Sequence, residues 1–163
     1  MSEKKYKISP PETHELNEPA MAYNLPVNLY TSLFGGKNVG FNDFDILTTS
    51  RQGLPKHSLM ALAKKISLTL QEFANIMHIS ERTLQRYEDD TIIKTEYAEK
   101  AIELARLYTR GEEVFGSLDK FKTWMKTPLH VFKGEAPVSL LDTSIGFDMV
   151  FKELGRIEYG IFA

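Results

Sequence analysis

A chain of 163 residues with 42% hydrophobic and 26% charged side chains has room for one domain with a real core, or for two small ones. Its formal charge of −2 excludes nucleic-acid binding through bulk charge alone, so any such contact needs a local basic face, doubled by dimerisation. The absence of cysteine excludes a disulfide framework and a thiolate zinc site and fits a cytoplasmic protein; no apolar run nears the roughly 18 residues that span a bilayer, and Met1-Ser2-Glu3-Lys4-Lys5 has no apolar segment behind it, so neither a membrane partner nor a signal peptide is expected.

Residues 1–22 are polar, with Pro10, Pro11 and Pro19, and read as a flexible arm. Residues 23–52 hold short apolar clusters: Leu25/Val27/Leu29/Tyr30, Leu33/Phe34, then Gly35-Gly36 and Phe41/Phe44/Ile46/Leu47. One or two short helices are expected there. The aromatic content exceeds what a linker needs, and Phe34, Phe41 and Phe44 are candidates for a contact with a second copy of the chain.

From Gly53 the spacing becomes helical. Pro55 suits a helix start, and Leu59, Leu62, Ala63 and Ile66 share one face. Thr69 is placed to cap a second helix through Phe73, Ala74 and Met77. Ser80 is placed to cap a third, Glu81–Glu88, with Leu84 and Tyr87 inward. A longer helix, Thr95–Arg110, puts Ala98, Ile102, Ala105 and Tyr108 on one stripe with Ala101 and Leu104 beside it, and Gly111 reads as its stop. A further helix over Leu118–Lys126 carries Leu118, Phe121, Trp124 and Met125 on a face and ends at Pro128. After a loop with Gly134 and Pro137, Asp142 or Thr143 caps a last helix that turns Phe147, Val150, Phe151, Leu154 and Ile157 inward. No stretch alternates long enough to predict a strand. The expected fold is all-α: a helix-turn-helix region over residues 53–111, followed by a second helical region over residues 112–163.

The stretch from Leu70 to Tyr87 has the spacing of a DNA-reading helix pair. Ala74 is the small residue at the helix crossing, Ile79 plugs the core from the turn, and Leu84 and Tyr87 point inward. Such a pair sets the start of its second helix in the major groove. Ser80, Arg82, Thr83, Gln85 and Arg86 are the candidate DNA-binding residues, with Glu81 beside them. Gln85 suits adenine, and Arg82 or Arg86 suits guanine or phosphate; a good bidentate pair discriminates by about 1–3 kcal/mol. Residues 51–100 are also the one third of the chain that is net basic, with 8 basic and 7 acidic side chains. His78 occupies a turn position that usually takes glycine because the chain there adopts positive φ. Glu88-Asp89-Asp90 would repel phosphate if it faced DNA. Lys56, Lys64 and Lys65 are candidates for backbone phosphate contacts, or equally solvated surface lysines. The alternative to DNA reading is the same spacing used for core packing alone.

The final stretch, Leu154-Gly155-Arg156-Ile157-Glu158-Tyr159-Gly160-Ile161-Phe162-Ala163, reads as a helix end that breaks at glycine and leaves an apolar, aromatic tail. Chain ends usually fray and are polar, so Tyr159, Ile161 and Phe162 are expected to bury themselves in their own fold or in a partner. Ile157 reads as core, Arg156 as a bridge to Glu153 or a partner contact, and Trp124 as core.

Four strings then carry a resemblance over residues 51–163: Glu113-Val114-Phe115-Gly116, Trp124-Met125-Lys126-Thr127-Pro128, Pro137-Val138-Ser139-Leu140-Leu141-Asp142-Thr143, and Gly155-Arg156-Ile157-Glu158-Tyr159-Gly160. Together with the Arg51–Pro55 and Ser80–Arg86 blocks, the chain resembles the Xre-type antitoxins of bacterial RES–Xre toxin–antitoxin pairs, the Xre/MbcA/ParS-like group. The resemblance implies a central region that binds operator DNA and represses its own operon. It also implies a C-terminal region seated against a RES-domain toxin that destroys NAD⁺. The candidate toxin-binding residues are Arg156, Glu158, Tyr159, Gly160, Ile161, Phe162 and Ala163. Arg156 and Glu158 would hydrogen-bond a rim, Tyr159 and Phe162 would anchor, and the Ala163 carboxylate would pair with cations that otherwise hold substrate phosphate.

Catalysis is not expected. His14, His57, His78 and His130 are scattered without a carboxylate cluster, and there is no GxGxxG, P-loop or GxSxG string. No cofactor or metal is called for. The expected protein is a dimeric antitoxin that joins its toxin in a larger hetero-oligomer. The alternatives are a toxin-neutralising protein that does not bind DNA, and a stand-alone helix-turn-helix regulator.

Overall fold

The computed structural model of the chain describes Leu29, Leu33, Phe34 and residues 43–160. The expected arm (1–22), Phe41 and the last three residues of the tail lie outside the described residues. Residues 43–160 form seven α-helices and one short ladder: α1 (Asp43–Gln52), β1 (Leu54–Pro55), α2 (Lys56–Lys65), α3 (Leu70–Met77), α4 (Glu81–Arg86), β2 (Ile92–Ile93), α5 (Thr95–Phe115), α6 (Leu118–Met125) and α7 (Ser144–Glu158). Two 3₁₀ turns, His130–Phe132 and Pro137–Leu140, fill the α6–α7 connection. The all-α class therefore holds.

Helix α5 is the axis of the molecule. At 21 residues it buries Ala98, Ala101, Ile102, Leu104, Ala105, Leu107 and Tyr108, and helices α1, α2, α3, α6 and α7 all pack on it. Its many alanines let those neighbours approach closely, while Leu104, Leu107 and Tyr108 fill the space between them. Leu59, Leu62, Ala63 and Ile66 bury together, as their spacing predicts. Leu29 and Leu33 are also fully buried in this core, and Phe34 packs against it. Phe34 is thus partly engaged by its own chain, whereas Phe44 is 77% exposed.

Two sequence expectations change. Gly111 does not stop α5. It sits buried inside the helix, and a Cβ there would lie 2.3 Å from the ring of Phe121 on α6. The glycine is a packing residue that lets α5 and α6 cross at close range; the helix ends instead at Gly116, in the left-handed region at φ +70°. The boundary expected at residue 111 accordingly falls within a continuous helix. Helix α7 runs through Gly155 to Glu158, as the inward placement of Ile157 requires, and the turn to positive φ comes at Gly160.

The second change is a strand pair. Leu54 and Pro55 pair antiparallel with Ile93 and Ile92. Two residues per strand are too few for alternation to register in a sequence. Around the α5–α6 crossing an aromatic cluster closes the core: Tyr108 meets Phe121 edge-on at 5.1 Å, and Trp124 stacks on Phe121 at 5.6 Å. Trp124 is partly buried there, packed on the core as expected.

Candidate nucleic-acid interface and partner-binding face

The α3–α4 pair is built from two local caps and one left-handed residue. Thr69 and Glu72 form a reciprocal capping box: the Glu72 N–H donates to Thr69 Oγ1 at 3.1 Å and the Thr69 N–H donates to Glu72 Oε2 at 2.7 Å. Helix α3 buries Phe73, Ala74, Ile76 and Met77. His78 then takes φ 53°, ψ 38°, the conformation the turn demands, and Ile79 packs partly into the core.

Ser80 caps α4 by accepting the Thr83 N–H at 3.0 Å, and the two hydroxyls bond each other at 2.7 Å. Leu84 is the one buried residue of α4; Glu81, Arg82, Thr83, Gln85 and Arg86 are all exposed. The side chains of Arg82, Gln85 and Arg86 make no hydrogen bond or ion pair with the described residues. The structure thus brings the five candidate DNA-binding residues together. Two of them, Ser80 and Thr83, already spend hydroxyl groups on the cap. Helix α4 ends at Arg86 rather than Glu88, because Tyr87 swings to an extended conformation and packs partly against the core.

Lys56 is not available to phosphate. Its ammonium donates to the Tyr87 carbonyl at 2.7 Å and pairs with Asp89 at 3.3 Å. The main-chain N–H of His57 donates to the Asp89 carbonyl at 2.9 Å, and its ring pairs with Asp90 at 3.4 Å. The Asp89-Asp90 pair is therefore held at the N-terminus of α2, where a helix favours negative charge. Lys64 is exposed.

Two long-range contacts tie α3 and its turn to the C-terminal helices. His78 Nε2 lies 2.6 Å from the carbonyl oxygen of Asp142, and Lys126 pairs with Glu72 at 3.2 Å. A carbonyl only accepts, so Nε2 of His78 carries the proton. Sequence reasoning missed both contacts, since partners 64 and 54 residues apart leave no local signal.

Thr143, not Asp142, caps α7, accepting the Gly146 N–H at 3.0 Å. Phe147, Val150 and Leu154 bury one face of α7 completely; Phe151 and Ile157 are partly buried. Arg156 bridges to Glu153 at 3.4 Å. Glu158 pairs with Arg110 of α5, which also binds Glu113 at 2.9 Å. Glu113 is the main cause of the raised Arg110 pKa. Of the candidate toxin-binding residues, Arg156 and Glu158 thus have partners in their own chain, and Tyr159 is 77% exposed. Ile161, Phe162 and Ala163 lie outside the described residues. Two exposed apolar side chains on α7, Ile145 and Met149, were not singled out from sequence.

Among the described residues no group of histidines and carboxylates has the arrangement of a metal site, and no helix is long and apolar enough to cross a membrane.

A capped helix pair whose outer face is exposed among the described residues, joined to a second helical layer through one shared helix, defines a helix-turn-helix protein carrying an additional helical region. Residues 45–106 match the model of the antitoxin Xre-like helix-turn-helix domain, and residues 110–160 match the antitoxin Xre/MbcA/ParS C-terminal toxin-binding domain. The chain is 32% identical over 100 residues to an antitoxin Xre of Yersinia enterocolitica serotype O:8 / biotype 1B (strain NCTC 13174 / 8081), an alignment that covers 60% of this chain and 67% of that protein. The chain belongs to the Xre antitoxin family.

Proposed function

We propose that this antitoxin neutralises a RES-domain, NAD⁺-degrading toxin by occluding its active site, and that it represses its own operon as a cytoplasmic dimer. DNA reading is assigned to residues 53–111 and toxin binding to residues 112–163; the chain performs no catalysis and needs no cofactor. The observation that carries the reading is the outer face of α4, where Arg82, Gln85 and Arg86 stand exposed beside the capped turn and their side chains pair with none of the described residues.

On DNA, Gln85 would read a base edge, with Ser80, Arg82, Thr83 and Arg86 reaching base edges or phosphates around it. Two-fold symmetry would set two α4 helices about one DNA turn apart. Phe44 is a candidate for the contact between copies, since it projects from α1 into solvent. The charged groups needed to offset a net acidic chain are few, so binding should weaken steeply with salt.

On the toxin, a cleft that takes an anionic dinucleotide would be closed by the end of α7 and the residues after it. Tyr159 would anchor, Gly160 would turn the chain, and Ile161, Phe162 and Ala163 would enter the cleft mouth. Arg156 and Glu158 would lie on its rim. The test is NAD⁺ consumption by a RES-domain toxin mixed with the full chain or with a chain ending at Glu158. Full inhibition by the first and loss of inhibition by the second are expected; equal inhibition by both would remove the tail from the mechanism.

A further inference from the structure

Helix α7 has a second face. Its inner face, Phe147, Val150 and Leu154, is fully buried, and Lys100 of α5 sits 4.9 Å over the Phe147 ring. That packing fixes how the helix is turned. On the opposite side, Ile145, Met149, Lys152, Arg156 and Tyr159 follow one another at i, i+4, i+7, i+11 and i+14. Residues so spaced line one side of an α-helix, here about 21 Å long at 1.5 Å per residue. Ile145 is 74% exposed, Met149 42% and Tyr159 77%; Lys152 is exposed as well. The solvent side of a surface helix is ordinarily polar. Two neighbouring apolar side chains one turn apart, with an aromatic at the far end, are the pattern of a helix that lays a face into a groove.

We infer that the whole outer face of α7, from Ile145 to Tyr159, is a docking rail for the toxin, with Ile145 and Met149 as apolar anchors distant from the chain end. The inference rests on the toxin-binding reading above. The occupant follows from continuity: the rail lies entirely within the region matching the toxin-binding domain, residues 110–160, and it runs directly into the residues proposed to enter the toxin cleft. The partner surface it fits is an elongated groove, apolar beneath Ile145 and Met149 and acidic beneath Lys152 and Arg156. Among the described residues the Arg156 side chain is held by Glu153 alone, so it can turn to such a groove at small cost. Toxin recognition would then have two parts: the cleft plug inhibits, and the rail selects which toxin is plugged.

The experiment uses the full-length chain and a purified, catalytically inactive RES-domain toxin, with affinity measured by calorimetry for wild type, Ile145→Ser/Met149→Ser, Ile145→Asp, and Val131→Ser as an exposed apolar control in the same region but off the rail. Unchanged melting temperature and unchanged DNA binding certify the fold. The double variant and Ile145→Asp should each raise the toxin Kd by about 30-fold or more, as buried anchors do, while Val131→Ser should stay within about twofold of wild type. If the wild-type chain binds the toxin and the rail variants bind it equally well, the rail is overturned and the toxin-binding reading stands. If the wild-type chain does not bind the toxin, that reading fails and the rail fails with it. If the rail variants dissociate a dimer of the chain and leave toxin affinity unchanged, the face belongs to a second copy and the inference is wrong.

Discussion

His78, the left-handed residue at the turn between α3 and α4, donates from Nε2 to the carbonyl oxygen of Asp142, the residue just before the cap of α7, at 2.6 Å. The conformational demand of the turn and the docking of the C-terminal helices thus meet in one side chain. Glycine would satisfy the first and could not supply the second.

That double role separates two substitutions. His78→Ala loses the hydrogen bond and keeps a Cβ in the left-handed region as the wild type does, so it should cost about 1 kcal/mol. His78→Gly loses the same bond but relieves the backbone, which offsets the loss, so its cost should fall to about zero. Urea unfolding of the two variants checks this, and a larger loss for glycine than for alanine would contradict it.

The two arginines of α4 pair with none of the described residues, and their removal should leave the fold intact. Arg82→Ala combined with Arg86→Ala should abolish operator binding and leave toxin neutralisation unchanged. Single variants contacting phosphate should reduce the slope of log K against log salt by about 1 each. Titration at several salt concentrations reads this directly; loss of neutralisation in the double variant would show that α4 also serves the toxin.

Gly111 and Gly116 answer to different constraints. Gly111→Ala drives a methyl group into the Phe121 ring and should destabilise by about 1–3 kcal/mol through overpacking. At Gly116 nothing stands within 4 Å of an added Cβ, and the cost of Gly116→Ala is confined to its φ of +70°, about 1 kcal/mol. Thermal melts should show the larger fall for Gly111→Ala. A compensating shift of Phe121 should also appear as altered fluorescence of Trp124, stacked on it at 5.6 Å.

Thr109 is buried on α5, and its hydroxyl has no hydrogen-bond partner among the described residues. An unmet buried hydroxyl costs about 1–3 kcal/mol, and valine keeps the shape without it. Thr109→Val should therefore stabilise the chain by about 1 kcal/mol, seen as a higher urea midpoint at unchanged slope.

Which parts were legible follows from the range of the forces involved. Thr69, Ser80 and Thr143 announce helix starts because a cap acts within three residues of itself. The inner stripes of α2, α3 and α7 announce themselves because burial on one side of a helix imposes a 3.6-residue period. The left-handed turn at His78 was likewise readable from the position it occupies in the helix pair.

Gly111 was misread because a glycine near the end of a helical pattern signals a stop in the sequence, whereas its actual reason is the Phe121 ring across a helix crossing. The exposed rail of Ile145 and Met149 stayed hidden because apolar residues look alike in a sequence whether or not something covers them. The sequence by itself determined where helices begin, which faces they bury and that a helix-turn-helix pair is present, since those depend on neighbours within a turn or two. The tertiary structure alone decided where α5 ends, that His78 reaches Asp142, that Lys56 is spent on the loop after α4, and which side of α7 remains bare. Each of those is a contact between surfaces whose meeting depends on how all the helices pack around α5.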